Sequence, residues 1–248
     1  MIDFHTHLLP LIDDGSRNIR ESVKMLHSCA LQGVTAVVAT PHYYAEKEAP
    51  YDFLQRREKS WKALKEVLSI EHNYPSIYLG AEVKVFPGIS DIEELQKLDI
   101  AGTGYILLEM PFSEWSDRVF RELDKIALRG MRPVIAHIER YLKIQKKTDN
   151  IERLLHKDFL IQSSAEFFCG GFLDKRRAVR MLTEGKIHLL GSDCHNLSSR
   201  PPNMKSAAEI IRYRLGEDTL KNLISCSERV LSNAVTEHVI AGTINRIK

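Results

Sequence analysis

Ionisable side chains follow almost every short apolar segment of this chain. Six such segments end in histidine, aspartate or glutamate, and the candidate residues are His5, His7, His42, Glu82, Glu109, His137, Asp193 and His195. Imidazole and carboxylate groups together suit divalent ions such as Mn²⁺, Fe²⁺ or Zn²⁺. His5 and His7 alternate along a predicted strand, so their side chains share a face and can chelate one ion. A carboxylate can also bridge two ions, as in two-metal hydrolases. A lone His-X-His motif is common by chance, so the prediction of a shared metal site depends on the coincidence of all these positions.

The elements that must position these residues alternate along the chain. Short aliphatic runs predict seven strands, over residues 2–5, 36–39, 77–79, 105–108, 134–136, 160–162 and 187–190. Helical periodicity predicts helices from Ser16 to Gly33 and over 53–68, 89–98, 115–128, 151–155, 172–182 and 204–233. About seven βα units indicate one α/β domain, 1–248, built as a barrel or a doubly wound sheet. Because strand ends converge on one face of a barrel, the placement of the ionisable residues favours the barrel.

Composition excludes several classes of protein. The chain of 248 residues is 44% hydrophobic and 27% charged, with a net charge of +2. These values do not indicate a disordered chain, a coiled coil or a nucleic-acid-binding protein. No apolar run approaches the roughly 18 residues that would span a membrane, and we expect no signal peptide before the first histidines. Four widely spaced cysteines indicate a reducing compartment, so a cytoplasmic location is expected. The sequence leaves open whether the chain forms a homo-oligomer.

Six ordered segments resemble a known family. They are MIDFHTHLLPLIDDGS, QGVTAVVATPH, GAEV, YILLEMPF, RPVIAHIER and HLLGSDCHN followed by an arginine. Together they are similar to the PHP (polymerase and histidinol phosphatase) metallohydrolases. The Asp-Asp-Gly soon after His-X-His favours the CpsB/YwqE group, the protein-tyrosine phosphatases of bacterial capsule and exopolysaccharide clusters.

The resemblance implies a distorted (β/α)7 TIM-like barrel with a helical C-terminus and up to three metal ions. The implied ligand sets are His5, His7, Glu82 and Asp193 for the first ion, Glu82, Glu109 and His137 for the second, and Asp14, His42 and His195 for the third. Mn²⁺ is the expected metal, with Fe, Zn or Mg as alternatives. The resemblance further implies that Arg140 and Arg200 bind phosphate while a metal-bridging hydroxide attacks phosphorus. The implied substrate is the phosphotyrosine tail of a bacterial tyrosine kinase, and the alternative is a small phosphomonoester such as histidinol phosphate.

The chain departs from the family pattern around Arg140. The family usually reads His-Pro-Glu-Arg-Asn, whereas Ile138 and Tyr141 replace the proline and the asparagine here. Either Asp13 or Asp14 can serve as a ligand, because the two are adjacent. Tyr43 and Tyr44 either line the pocket or pack beneath it.

A second phosphatase motif competes for the same region. Cys194 and Arg200 have the C-x5-R spacing of cysteine-dependent tyrosine phosphatases, in which a thiolate attacks phosphorus. The intervening residues contain no glycine, although a phosphate-binding backbone loop favours glycine and small residues. Asp193 would also disfavour a thiolate beside it. The metal mechanism is therefore preferred.

Overall fold

The computed structural model describes residues 1–243, so the last five residues of the predicted domain lie outside the described part. Its strands are β1 (Ile2–Thr6), β2 (Ala36–Ala39), β3 (His42–Tyr43), β4 (Ser76–Leu79), β5 (Glu82–Lys84), β6 (Tyr105–Glu109), β7 (Arg132–Ile135), β8 (Leu160–Ser164), β9 (Leu189–Gly191) and β10 (Val239–Ile240). Its helices are α1 (Ile19–Leu31), α2 (Pro50–Leu68), α3 (Asp117–Leu128), α4 (Asn150–Leu155), α5 (Ala165–Cys169), α6 (Phe172–Thr183), α7 (Met204–Leu215) and α8 (Glu217–Leu231). Within 1–243, none of the helices has the length and apolarity to cross a membrane.

Parallel pairing arranges the strands as a distorted seven-stranded barrel. β1 pairs with β2, β2 with β4, and the ladder continues from β5 through β6, β7 and β8 to β9. β2 with β3, and β4 with β5, each form one broken strand, and β3 pairs with β5. The ring closes between β9 and β1, where a parallel bridge joins Thr6 to Cys194. All seven predicted strands are present, and the barrel prediction is confirmed.

The sequence did not predict β3, β5 and β10. β3 and β5 follow Pro41 and Ala81, at the breaks in the two interrupted strands, and span only two and three residues. Such short segments cannot show a hydrophobic period. β10 is equally short and adds an antiparallel edge to β4.

Three helical predictions need correction. Asn18, rather than Ser16, caps α1, because its side chain accepts a hydrogen bond from the backbone N–H of Glu21. Residues 89–98 form two 3₁₀ helices, Ile89–Asp91 and Glu93–Leu98. Their aliphatic residues recur every third position, which matches the 3₁₀ period. The C-terminal segment 204–233 is helical but is divided at Gly216, which has a φ of +89°.

A β-bulge in β1 changes which side chains face the barrel interior. Asp3 pairs with Val37 and Thr6 with Ala39, so Phe4 and His5 together oppose Val38. Without the extra residue, strict alternation would place Phe4 and His5 on opposite faces. With it, Phe4 joins the interior apolar cluster while His5 also turns inward.

Two apolar layers separate the inside of the barrel from the helices around it. The inner cluster comprises Ile2, Phe4, Ala36, Val38, Ile100, Ala101, Leu107, Val134, Ala136, Leu189, Val230 and Leu231. The last two lie at the end of α8, so this helix plugs the end of the barrel opposite the site. The alternate strand residues belong to the outer cluster, together with the helices.

Candidate metal centre

Four donor atoms meet at the closure of the barrel. His5 Nε2 lies 3.0 Å from His7 Nε2, 3.2 Å from Glu82 Oε2 and 3.5 Å from Asp193 Oδ1. His7 Nε2 lies 3.4 Å from the same glutamate oxygen and 3.3 Å from the same aspartate oxygen. Four tetrahedral ligands at about 2.0–2.2 Å from one ion would be about 3.3–3.6 Å apart. The spacing is therefore that of a metal ligand set.

The other oxygen of Glu82 belongs to a second group. His137 Nε2 lies 2.7 Å from Glu82 Oε1 and 3.7 Å from Glu109 Oε1. Glu109 ends β6, and His137 follows β7, so both occupy the strand ends predicted from the sequence. Because its two oxygens face different donor groups, Glu82 has the geometry of a bridging carboxylate.

A third group lies at the mouth of the barrel. Asp14 Oδ1 is 3.5 Å from His42 Nε2 and 3.5 Å from His195 Nε2. The Asp14 side chain is 66% exposed, whereas His5 and Glu82 are fully buried. The structure thus brings together all nine predicted ligands, in two deep groups and one superficial group.

Neighbouring groups fix three of the imidazole rings. His5 Nδ1 donates to Gln162 Oε1 at 3.3 Å, and His7 Nδ1 donates to Asp13 Oδ2 at 2.7 Å. His195 Nδ1 donates to the backbone carbonyl of Asp193 at 2.9 Å. Each bond leaves Nε2 free and directed into the site, as occurs in metal-binding histidines.

Asp13 and Asp14 have different positions. Asp13 accepts hydrogen bonds from the backbone N–H groups of Gly15 and His42 as well as from His7. Its oxygens are therefore occupied in holding the loop. Asp14 instead projects between His42 and His195, and the geometry favours it as the ligand.

Two of the candidate ligands have left-handed backbone conformations. His137 has a φ of +30° and Asp193 a φ of +54°. For a residue with a side chain this region costs on the order of 1–2 kcal/mol. Each lies two residues past the end of a barrel strand, and its side chain reaches the site at that end of the barrel.

The site concentrates negative charge. The carboxylates of Asp13, Asp14, Glu82, Glu109 and Asp193 outnumber the two nearby guanidinium groups. Burial would lower the pKa of His7, but the Asp13 carboxylate raises it well above its ordinary value. Burial, together with the charge of Glu82, raises the pKa of Glu109 to about 7. Without cations, the buried site therefore offsets its negative charge by binding protons.

Unpartnered polar atoms also point to cations. Glu82 Oε2 and the His195 Nε2 nitrogen are buried and have no hydrogen-bond partner among the described residues. Leaving such atoms unpaired costs free energy. Divalent ions would satisfy these atoms and neutralise the carboxylates, so the residues fit the expected metals. Imidazole and carboxylate donors together are compatible with Mn, Fe and Zn.

Arg140 and Arg200 converge on one oxygen of Asp193. Arg200 Nη2 donates to Asp193 Oδ2 at 2.6 Å, and Arg140 Nη2 contacts the same atom. Both side chains remain about one-third exposed. They line a cavity of about 250 Å³ beside Ser192, and a second cavity of about 420 Å³ continues from Arg140 past Phe112. The loop that contains Ile138 in place of proline still directs Arg140 to the site.

The tyrosines divide between site and core. Tyr44 stacks on His42, with 5.0 Å between ring centroids. Tyr43 is buried against Phe53 and is a packing residue. Tyr141, which replaces the family's asparagine, is buried behind His137, and its hydroxyl accepts a hydrogen bond from the Met110 backbone N–H at 2.9 Å.

Cys194 lies three residues past the end of β9. It is fully buried in the outer apolar cluster. A hydrogen bond to Cys29 of α1 contributes to a raised pKa of the Cys29 thiol. Arg200 contacts Asp193 instead of a thiolate. This geometry does not support a nucleophilic cysteine.

The sequence analysis missed three residues around the site. Gln162 accepts from the His137 backbone N–H at 2.8 Å as well as from His5. Glu139 accepts from Ser163 and Ser164 at the end of β8, which anchors the turn before Arg140. The exposed Phe112 stacks near His137. A glutamine among aliphatic strand residues was the available signal for Gln162, since a buried amide needs partners.

Comparisons with known proteins all indicate the same family. Residues 1–232 match the family described as capsular polysaccharide synthesis, CpsB/CapC. The chain is 29% identical to the tyrosine-protein phosphatase YwqE of Bacillus subtilis (strain 168), over 94% of this chain and 92% of YwqE. It is 30% identical to the tyrosine-protein phosphatase CpsB of Streptococcus pneumoniae, over 90% of this chain and 94% of CpsB.

The fold agrees with that of solved relatives. The crystal structures of YwqE from Bacillus subtilis and CpsB from Streptococcus pneumoniae, which are metal-dependent tyrosine phosphatases, include a chain similar to this one. The TM-score is 0.83 at 26% sequence identity, with 95% of this chain and 96% of that chain covered. The barrel, its ionisable rim and the match over nearly the whole sequence lead to one conclusion: the chain belongs to the CpsB/CapC family of capsular polysaccharide synthesis.

Proposed function

We propose that this protein is a metal-dependent phosphatase that hydrolyses phosphotyrosine in proteins. The observation that carries the proposal is the convergence of three ligand groups around Glu82, with two guanidinium groups on the open side. The relatives named as tyrosine phosphatases support the same activity.

The proposed ligands are the nine ionisable residues grouped above. His5, His7, Glu82 and Asp193 would hold one ion, Glu82, Glu109 and His137 a second, and Asp14, His42 and His195 a third. When bound, such ions activate water and neutralise phosphate oxygens as Lewis acids. Mn²⁺ is our preferred metal.

Arg140 and Arg200 would bind the phosphoryl group. Their planar guanidinium groups suit two phosphate oxygens each, and their contact with Asp193 places them beside the first ligand group. They would stabilise the negative charge that grows on the phosphoryl oxygens in the transition state. The leaving tyrosine has an ordinary pKa of about 10, so its phenolate needs little help from a general acid.

The shape around Arg140 favours a phosphorylated chain over a small metabolite. The third ligand group is at the exposed mouth, and two cavities lie beside Arg140. A phosphotyrosine could enter while its flanking residues remain outside. We therefore propose the tyrosine-phosphorylated tail of a bacterial tyrosine kinase as the substrate.

The test compares two substrates in one experiment. The purified protein is assayed with a phosphotyrosine peptide and with histidinol phosphate, each with Mn²⁺ and with EDTA. We expect Mn²⁺-dependent release of phosphate from the peptide, at least about tenfold faster per unit concentration than from histidinol phosphate. Comparable or faster hydrolysis of histidinol phosphate would contradict the assignment and favour the small-molecule alternative.

A further inference from the structure

A second concave surface lies between α6 and α7, outside the metal centre. This α6/α7 groove has a volume of about 600 Å³. Its apolar lining comes from Phe172, Val179, Ile210 and Tyr213, and Lys175, Arg176, Ser206, Glu209 and Arg214 complete it. Phe172 is 76% exposed and Tyr213 82% exposed, which is unusual for large aromatic side chains. Exposed aromatic side chains of this kind mark surfaces that bind a partner.

Unpaired positive charge surrounds the aromatic side chains. Lys175, Arg176 and Arg214 form no ion pair with any residue in 1–243, as the described contacts show. Glu209 is the acidic residue of the lining, and Lys205 already lies 4.0 Å from it. The groove therefore presents cations with free hydrogen-bond donors next to aromatic faces. The complementary ligand is acidic and carries apolar or aromatic side chains.

Helix α6 connects this groove with the metal centre. Lys175 and Arg176 line the α6/α7 groove, while the next residue, Arg177, lines the cavity that contains Arg140. Lys143 faces that same cavity. Arg177 and Lys143 are exposed. Positive side chains thus extend from the proposed phosphate site across α6 to the groove.

We propose that the α6/α7 groove docks an acidic, tyrosine-bearing segment of the phosphoprotein substrate while a phosphotyrosine of the same chain occupies the metal centre. The inference rests on the proposed function, because it assumes a phosphorylated protein substrate. Docking at a second surface raises the local concentration of the phosphotyrosine at the site. It therefore increases turnover of long acidic substrates and leaves small ones unaffected.

The probe is a random copolymer of glutamate and tyrosine, used unphosphorylated for binding and phosphorylated for turnover. The test variant R176E/R214E reverses two charges of the groove, and Y213A removes its most exposed aromatic ring. The matched controls are R20E/R118E, which reverses two exposed arginines on α1 and α3, and Y51A, which removes an exposed tyrosine on α2. Phenyl phosphate is the small substrate.

We expect R176E/R214E to weaken binding of the unphosphorylated copolymer at least about tenfold and to raise KM for the phosphorylated copolymer similarly. Y213A should weaken binding about fivefold. Neither should change kcat/KM for phenyl phosphate, which also shows that the variants fold. The controls should behave as the unsubstituted protein.

Other results would overturn the inference. Equal copolymer binding by the groove variants and the controls would show that general charge attraction is sufficient. A dimer that R176E/R214E converts to a monomer in sedimentation would assign the groove to a second copy of this chain. If the protein hydrolysed neither substrate but the groove variants alone lost copolymer binding, the docking site would stand and the proposed function would fail.

Discussion

The two ends of the barrel differ in chemistry although the same strands form both. At one end, Ile2 and Phe4 of β1 pack with the interior cluster, which α8 covers. At the other end, His5 and His7 of the same region meet the carboxylates of Glu82 and Asp193. The apolar end gains free energy from burial, whereas the polar end spends it on desolvated charge and left-handed backbone. Stability and activity should therefore respond to substitutions at different ends.

Metal removal should cause the largest loss of activity while leaving the apolar end of the barrel folded. Dialysis against EDTA should abolish phosphotyrosine hydrolysis, and Mn²⁺ should restore it, while the circular dichroism spectrum stays unchanged because the apolar end is intact. Thermal unfolding should show a higher Tm with Mn²⁺, since an ion that binds the native state stabilises it. Activity that survives EDTA but is lost in C194S would instead support a cysteine mechanism.

Removing the charge of Glu82 should lower activity nearly as much as metal removal. E82Q should lower kcat about 10³-fold, equivalent to about 4 kcal/mol of barrier, because two ligand groups share this carboxylate. Metal content by mass spectrometry should fall in parallel. The matched control is E122Q, which alters another buried carboxylate, on α3, that accepts hydrogen bonds from Ser90. Equal loss in both variants would indicate general misfolding.

A substitution at the apolar end should lower stability and leave activity unchanged. Ile100 is fully buried in the interior cluster and supplies no ligand. I100A should lower the free energy of unfolding by about 2–5 kcal/mol because it leaves a cavity. The activity of the folded fraction should be unchanged. I70A, at a position that is 79% exposed, is the control and should change stability little. A large fall in kcat for I100A would show that the two ends are coupled.

Substitution of Asp13, which holds a candidate ligand in place, should lower metal affinity by an intermediate amount. Asp13 orients His7 and accepts two backbone N–H groups. D13N should weaken metal affinity about 10–100-fold, as observed for groups that orient metal-bound histidines. Excess Mn²⁺ should recover most of the activity. The exposed D117N is the control. Activity that excess Mn²⁺ cannot restore would argue that Asp13 is itself an essential ligand.

Metal binding should also depend on pH, because several candidate ligands hold protons. The pKa values of His5, His7 and Glu109 are raised, that of Glu109 to about 7, so these groups hold protons near neutral pH. Metal binding must release those protons. Affinity should therefore rise with pH up to and through about 7, by about tenfold per pH unit for each proton released. Titration calorimetry in buffers of different ionisation enthalpy measures this, and an affinity independent of pH would contradict it.

The sequence predicted which side chains meet at the site better than it predicted the backbone that carries them. The seven strands were recognisable because aliphatic runs next to glycine or proline need little context. Strand ends then predicted which ionisable residues would lie close together, since a barrel brings such ends together. The breaks before His42 and Glu82 were not predictable, because β3 and β5 are too short for any period and depend on pairing with each other. The left-handed conformations of His137 and Asp193 likewise depend on tertiary contacts.

Some local signals were present but were interpreted incorrectly. Ile89, Ile92 and Leu95 recur every three residues, which fits a 3₁₀ helix better than an α-helix. Gly216 is a common residue just past a helix C-terminus, yet the continuous apolar pattern concealed the break between α7 and α8. Gln162 had a polar side chain in an apolar strand, and only its partners in the fold explain it.

The bulge in β1 makes strand length a functional property. Removing Phe4 would restore a regular ladder with β2, in which His5 alone opposes Val38, and would take the phenyl ring from the interior cluster. Removing His5 would restore the same ladder but delete a candidate ligand. A deletion here would therefore be far more harmful than most single substitutions, and natural variation in this segment should change residue identity without changing residue number.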